Sequence, residues 1–212
     1  MDTANLTASI QHFPASTAGG EAQGTRSAMS RSARRQDLPV CIELINRTHA
    51  DLDLFRPYTL DYMEQRLDDP NWGPKPSFYP EIYGWPEYQV IEVDGAIVAC
   101  GGMWDRGRDI REVWERDGNR FVHDPTALMD FGFAAGHESA MAELIRDMIA
   151  QANELGRAGV LAPLEFLPNL QSELDDLESN VDARELHVMA FTEPDLKIEL
   201  SVERPYTDLA YW

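Results

Sequence analysis

The sequence has few cysteines, few basic residues and no long apolar run. Cys41 and Cys100 are the only two cysteines among 212 residues, and they form no CxxC pair. Both lie in apolar runs, which predicts small buried side chains in a reducing compartment and so indicates a cytoplasmic protein. A catalytic cysteine is left open. The five histidines show no spacing typical of metal ligands. No segment is apolar enough over its length to predict a membrane-spanning helix.

The shortage of basic residues limits the partners. Lys and Arg number 18 against 37 Asp and Glu, so the formal net charge is −19. This charge repels nucleic acid and anionic membranes, and neither is expected as a partner. It attracts a cationic amine, although an acidic surface also serves solubility alone. A homodimer is left open.

The first 28 residues lack the features of a signal peptide, namely a charged start and an apolar core. They are rich in Ser, Thr, Ala and Gly, and this composition predicts a flexible N-terminal segment over residues 1–28. Residues 29–212 are long enough for one domain with a sizeable core. Met29 leaves an internal start open, and the Arg residues near it leave a transit peptide open.

Alternating helix and strand signals fill the rest of the chain. Asp37 is predicted to cap a helix over 38–48, and Thr59 a second helix to about Leu67. Asp94-Gly95 predicts a two-residue hairpin turn between strands 88–93 and 96–104. Further strands are predicted at 30–36, 160–166, 184–191 and 196–202, with a short helix over 170–177.

Two polar or proline-rich stretches interrupt these elements. Residues 68–87 contain five prolines between aromatic residues, which predicts a long loop. This loop is either a functional lid or a segment that its aromatic side chains pin to the body. Residues 105–126 are predicted to extend the edge of the sheet or to form an excursion between two strands.

The stretch 127–156 carries the strongest local signal. An apolar strand over 127–133 leads through small residues into an amphipathic helix over 138–155, which Gly156 ends. The N-terminus of such a helix presents free N–H groups and the positive end of a dipole, which suits a phosphate. An ordinary strand–turn–helix crossover explains the same pattern.

Three of these stretches together resemble the GCN5-related N-acetyltransferases, the GNAT superfamily. Residues 31–38 resemble the family's first strand and Asp-capped helix, and 90–101, VIEVDGAIVACG, its hairpin. Residues 127–155 take the place of the fourth strand, the pyrophosphate loop and the third helix. The resemblance implies a single α/β domain whose mixed, mostly antiparallel sheet has helices on both faces.

The resemblance also implies a function, acyl-CoA-dependent N-acyl transfer, with acetyl-CoA donating to a small-molecule or peptide amine. A carboxylate near the fourth and fifth strands would take the proton of the amine, and Asp130 and Glu165 are the candidates, followed by Asp105. Tyr206 and Tyr211 are candidates for protonating the leaving group. The implied cofactor contacts are Phe131, Phe133, Gly136, His137, Glu138, Ser139, Ala140, Met141 and Asn169.

The phosphate loop departs from the family pattern. The family has a Gln or Arg, two residues, a Gly, one residue, and a Gly or Ala; here Gly136, Ser139 and Met141 stand at those places. The missing glycine pair favours the alternative of a non-catalytic acyl-CoA-binding module on the same fold. A protein-interaction domain that uses the aromatic loop is the other alternative.

Overall fold

The structure, a computed structural model, describes residues 2–15, 30–69, 83–108, 112–116, 118–190, 204 and 206. These residues form nine strands and four α-helices. The strands are β1 (Asp2–Pro14), β2 (Ser30–Ser32), β3 (Tyr88–Val93), β4 (Ala96–Trp104), β5 (Glu112–Arg116), β6 (Asn119–His123), β7 (Thr126–Phe133), β8 (Gly159–Ala162) and β9 (Asn180–Ala190). The helices are α1 (Leu38–Thr48), α2 (Leu60–Asp68), α3 (Glu138–Glu154) and α4 (Pro168–Ser172).

Seven strands form one mixed sheet in the order β2-β3-β4-β7-β8-β1-β9. Every neighbouring pair of it within the described residues is antiparallel except β7–β8, which is parallel. Among the described strands, β5 and β6 pair only with each other, and they form a separate hairpin between β4 and β7 along the chain. Two alternatives were predicted for residues 105–126, an extended sheet edge or an excursion between two strands. The separate hairpin agrees with the excursion.

Both faces of the sheet bury apolar side chains under helices. One core cluster joins α3 and α4 to side chains such as Ile91, Leu128 and Phe131. The other joins α1 and α2 to Val90, Met129 and the two cysteines, which are both fully buried. Alternate residues of a strand point to opposite faces, so neighbours such as Val90 and Ile91 serve different cores. The predicted fold class, α/β with helices on both faces, is confirmed.

Local signals located all three predicted turns and helix starts, although one of the expected capping bonds is not formed. Thr59 Oγ1 accepts the N–H of Tyr62 at 3.3 Å and caps α2 as predicted. Asp94 and Gly95 have φ values of 52° and 81°, the positive values that a tight hairpin turn requires. Asp37 occupies the N-cap position of α1 as predicted, but its carboxylate accepts the N–H of Arg34 at 2.8 Å and makes no capping bond to the helix.

The N-terminal segment was predicted to be flexible, and this prediction is wrong for residues 2–14. Residues 2–14 are β1, which lies inside the sheet between β8 and β9. Ile10 and Phe13 are fully buried, and β1 pairs with β9 from Asp2 to His12. Composition failed here because backbone pairing on both sides orders a strand that has few apolar residues. Residues 16–29 lie outside the described part of the chain.

Several predicted elements have other ends. The first predicted strand stops at Ser32, because Arg35–Asp37 forms a 3₁₀ turn. Strand β8 stops at Ala162, before Pro163, which has no N–H to donate to a sheet. The last predicted helix starts at Pro168 and ends at Ser172. The predicted strand at 196–202 and most of the aromatic loop, residues 70–82, lie outside the described residues.

A close approach between α1 and β7 positions the site. A Cβ atom on Gly132 would lie 2.3 Å from the backbone nitrogen of Ile45. Only glycine permits this approach, because any other residue would place that atom inside the helix backbone. The contact brings the C-terminal end of α1, Thr48 and the following His49, to the edge of β7.

Candidate functional site

The parallel strands β7 and β8 pair only at their first residues. Their register comprises Thr126–Val160 and Ala127–Leu161. Beyond these pairs the strands separate, and β7 continues to Phe133 without β8 as a partner. The separation opens the sheet at the C-terminal ends of its two central strands.

Two side chains from the end of α1 occupy the edge of β7 that β8 leaves. Ala134 N–H donates to Val98 on β4 at 2.8 Å, so Phe131 and Phe133 direct their backbone groups to the other edge. There Phe133 N–H donates to Thr48 Oγ1 at 3.0 Å, and Phe131 C=O lies 2.9 Å from His49 Nε2. These bonds satisfy backbone groups that would otherwise pair with β8, and they hold the strands apart.

The separated strands line a cleft of about 530 Å³, which we call the splay cleft. Its walls come from the end of α1, the turn after β7 and the segment between β8 and α4. The lining residues are Arg47, Thr48, Phe133, Ala134, Ala135, Glu138, Phe166, Leu167, Pro168, Asn169 and Leu170.

The N-terminus of α3 lies at one wall of the splay cleft. Gly136, with a φ of 81°, turns the chain from β7 into the 17-residue helix. The N–H groups of Ala140 and Met141 donate to the carbonyl of His137, at 3.0 and 3.3 Å. Within the described residues, no backbone carbonyl accepts the N–H groups of residues 135, 136, 138 and 139. These amides and the dipole of α3 are available to an anion.

The predicted cofactor residues fall into three groups. Phe133, Glu138 and Asn169 line the splay cleft, and exposed Gly136 and Ser139 flank its helical wall. His137 is half-buried and supplies the carbonyl that starts α3. Phe131, Ala140 and Met141 pack in the core, at 2%, 6% and 0% exposure.

His49 is a buried, neutral histidine. It is 2% exposed, and burial lowers its pKa from 6.5 to about 4. Its Nε2 carries the hydrogen, because the partner is a carbonyl oxygen, which can only accept. The other nitrogen, Nδ1, then has a lone pair, and no hydrogen-bond partner for it exists among the described residues.

A small pocket of about 20 Å³ adjoins the splay cleft, and we call it the His49 pocket. It shares Phe166 and Leu167 with the cleft. Glu165, exposed at its rim, accepts the N–H of Ser9 at 2.9 Å. The remaining lining residues are His49, Leu52, Pro163 and Tyr206. Its volume matches one water-sized group.

The other predicted carboxylate, Asp130, is buried among polar partners. Tyr58 OH donates to its Oδ1 at 2.6 Å, and Tyr83 OH donates to its Oδ2. The buried guanidinium of Arg66 pairs with Oδ2 at 2.6 Å. The Tyr58 hydroxyl also lies 3.0 Å from that of Tyr206, so a chain of hydroxyls joins Asp130 to the His49 pocket.

The backbone of Asp130 is strained, with a φ of 45° inside a strand. The register of β4 with β7 shifts opposite this residue, between Cys100 and Gly102. This irregularity turns the carboxylate toward α2 and Tyr83. Asp130 lines neither the splay cleft nor the His49 pocket. Asp105, the third predicted carboxylate, pairs with Arg157 at 2.7 Å.

The sequence did not indicate Arg47, Thr48, His49, Tyr58 or Arg66 as site residues. Each meets β7 or the cleft across a long sequence separation, 82 residues in the bond between His49 and Phe131. Contacts between residues so far apart in the chain produce no spacing pattern that the sequence could show. The one signal in the sequence was a histidine, a residue that can act as acid or base, directly after an amphipathic helix.

Comparisons with known proteins show likeness in structure alone. No protein-family model matches the chain, and no curated protein matches it in sequence. A conserved protein of unknown function from Staphylococcus epidermidis has 11% identity and a TM-score of 0.50, over 87% of this chain and 61% of that one. The N-myristoyltransferase of Saccharomyces cerevisiae with bound myristoyl-CoA has 14% identity and a TM-score of 0.49, over 85% and 50%. A protein of Novosphingobium aromaticivorans assigned to the GNAT acetyltransferases has 12% identity and a TM-score of 0.44, over 89% and 68%.

The chain has a GNAT-like fold. The hairpin β3–β4, the strand β7, the helix α3 and the parallel strand β8 follow one another as the resemblance implied. At these identities the likeness concerns the fold, and the chain spans about half to three fifths of the length of the first two structures named. In the described part of the GNAT-like fold, no helix could cross a membrane and no cluster of three ligand side chains could hold a metal ion.

Proposed function

We propose that this protein binds an acyl-CoA in the splay cleft and transfers the acyl group to an amine. The observation that carries the proposal is the separation of β7 and β8, which opens a cleft of about 530 Å³ beside the N-terminus of α3. This volume lies in the range of small-molecule sites. The bound myristoyl-CoA of the N-myristoyltransferase of Saccharomyces cerevisiae supports the choice of ligand.

The phosphates of the cofactor are proposed to lie at the N-terminus of α3. Backbone N–H groups at residues 135, 136, 138 and 139 and the helix dipole favour an anion there. Arg47, whose guanidinium is largely exposed and pairs with Glu43 at 2.5 Å, is a cation on the opposite wall. Glu138 also lines the cleft, and its carboxylate repels an anion. We expect the attraction of the free amides and Arg47 to exceed this repulsion.

The pantetheine arm is proposed to run between β7 and β8. Phe133 and Leu167 offer apolar walls along this path, and Asn169 offers an amide to the polar groups of the arm. The thioester then lies where the splay cleft meets the His49 pocket. Acetyl-CoA is the proposed donor, and a small-molecule or peptide amine is the proposed acceptor.

Of the two predicted carboxylates, the geometry supports a role for Glu165 in the reaction. Glu165 lies at the rim of the pocket next to the proposed thioester, where it can attract an ammonium group. The carboxylate of Asp130 is taken up by Tyr58, Tyr83 and Arg66. We therefore propose that Asp130 positions the Tyr58–Tyr206 pair and is not the base.

Acyl-CoA binding without transfer is the second candidate function. The engagement of Asp130 by three partners favours it, because this removes one of the two carboxylates predicted as the base. Binding of acetyl-CoA without release of free thiol in the presence of amines would select it.

The proposal is tested by calorimetric titration of the protein with acetyl-CoA and with CoA. Ser139→Glu should weaken both affinities by about tenfold or more, since it sets a carboxylate against the phosphates. Ser139 is exposed, and an acidic residue in the first turn of a helix does not destabilise it.

Gln65→Glu is the matched control. It adds the same charge at an exposed position of α2, which does not line the cleft. Its affinities should equal those of the unaltered chain. Equal binding by Ser139→Glu and Gln65→Glu would place the cofactor elsewhere.

A further inference from the structure

The His49 pocket combines three groups that suit one small polar ligand. His49, Tyr206 and Glu165 all line it. They carry a ring nitrogen whose lone pair has no partner among the described residues, a hydroxyl and a carboxylate. A buried acceptor without a partner is rare, because it forgoes a hydrogen bond that water would supply. The volume of the His49 pocket, about 20 Å³, admits one nitrogen or oxygen with its hydrogens.

We infer that the His49 pocket receives the nitrogen of a primary amine and that His49 Nδ1 takes its proton. This inference rests on the proposed function, because it needs an acyl-CoA thioester in the adjoining splay cleft. The two spaces share Phe166 and Leu167, so a nitrogen in the pocket borders the end of the pantetheine path.

The bond from Phe131 prepares His49 for this role. The carbonyl of Phe131 fixes the hydrogen on Nε2 and therefore leaves Nδ1 as the acceptor. The rings of Phe55, Phe131 and Tyr206 lie within 5.5 Å of the imidazole centroid and fix its plane. An imidazole held in one tautomer and one orientation is ready to accept a proton.

The bond changes balance without another reactant. An amine that binds as an ammonium ion first releases one proton to solvent, because only the neutral nitrogen has a lone pair. That lone pair then forms the C–N bond at the thioester carbon, the C–S bond breaks, and the sulfur leaves with its electron pair. The nitrogen becomes acidic as that bond forms, so a weak base such as His49 can take one of its protons. The proton then passes to the thiolate, and the products are an amide and free CoA.

The charges around the pocket support an incoming cation. Glu165 lies at the rim. Asp53 is next to a lining residue, since its backbone carbonyl accepts the N–H of Tyr206 at 2.8 Å, and its carboxylate accepts the N–H of Arg204. The guanidinium of Arg204 stacks on Phe166 at 5.3 Å and is the opposing positive charge. Among the described residues around the pocket, these two carboxylates exceed the one cation, so Glu165 is expected to help bind the ammonium form.

The experiment compares His49→Gln with Glu165→Gln in acetyl-CoA binding and in release of free thiol. The amines are n-butylamine, spermidine, glycinamide and lysine amide. A glutamine at position 49 keeps an N–H for Phe131 and has no base. We expect unchanged acetyl-CoA affinity with kcat lowered about 100-fold or more for His49→Gln, and a raised amine KM for Glu165→Gln.

A second variant separates chemistry from structure. His49→Ala leaves room for added imidazole, and a series of imidazoles of rising pKa should restore turnover at rising rates. A merely structural role would give rescue that is independent of the pKa. The N-methyl derivative of the best amine should react poorly, because the pocket has no room for the methyl group.

The failures of the two proposals differ. Turnover by His49→Gln at the rate of the unaltered chain, or rescue without dependence on the imidazole pKa, overturns the role of His49. Loss of kcat in Glu165→Gln alone would make Glu165 the base and also overturn it. Absence of acetyl-CoA binding by the unaltered chain refutes the proposed function itself, and the inference with it.

Discussion

At the scale of single residues, the stability of the fold depends on the buried charge cluster around Asp130. Asp130 is the described counter-charge of Arg66, whose side chain is 7% exposed. Tyr58 and Tyr83 donate hydrogen bonds to the same carboxylate. A carboxylate with these partners is stabilised as an anion, and this explains why a strained φ is tolerated in the middle of β7.

Asp130→Asn is expected to lower the free energy of unfolding by about 3–5 kcal/mol, since it leaves a buried guanidinium without that counter-charge. Asparagine tolerates the positive φ, so the backbone adds little to the loss. Urea unfolding measures the effect. Asp105→Asn is the control, with a smaller loss, because Arg157 keeps Asp124 at 3.8 Å. Equal losses in the two variants would contradict the cluster's importance.

At the scale of elements, β1 joins β8 to β9 inside the sheet and supplies part of the proposed site. Its pairing with β8 runs from Gln11–Ala162 to Pro14–Gly159. Just beyond this register, Ser9 bonds to Glu165 and lines the His49 pocket. A chain that begins at Met29 would therefore lack both a central strand and one wall of that pocket.

Phe13→Ala is expected to lower the free energy of unfolding by about 3–5 kcal/mol, because Phe13 is fully buried in the core under α3. Val181→Ala, in the neighbouring strand β9 at 65% exposure, should change it by less than about 0.5 kcal/mol. A chain starting at Met29 should melt at a clearly lower temperature. An unchanged melting temperature would mean that β1 adds no stability.

At the scale of the whole molecule, stability depends on pH through His49. Burial places its folded-state pKa at about 4, below its ordinary value of 6.5. Between these values the unfolded chain binds a proton that the folded chain does not. The contribution of neutral His49 to the free energy of unfolding is therefore fully present above pH 6.5, and it is lost as the pH decreases toward 4.

The expected loss over this interval is roughly 3 kcal/mol. His49→Gln carries no titrating group at this position, so its stability should fall less between pH 6.5 and 4. Urea unfolding at several pH values measures both slopes, and only the difference between them tests the assignment. Parallel slopes would show that His49 is protonated equally in both states.

The sequence alone determined the elements that local interactions define. The cap at Thr59, the turn at Asp94-Gly95 and the amphipathic α3 were predictable, because each depends on neighbours within a few residues. Their order along the chain then predicted the fold class and the GNAT-like resemblance. The resemblance implied the cofactor contacts Phe133, Glu138 and Asn169, which all line the splay cleft.

Tertiary structure decided what depends on distant partners. The order of β1 follows from pairing with β8 and β9, and the separation of β7 from β8 follows from Thr48 and His49. The surroundings of Asp130 depend on Tyr58 and Tyr83, which lie 72 and 47 residues away. Composition and periodicity report on neighbours in sequence, whereas burial, tautomer and charge pairing are set by neighbours in space.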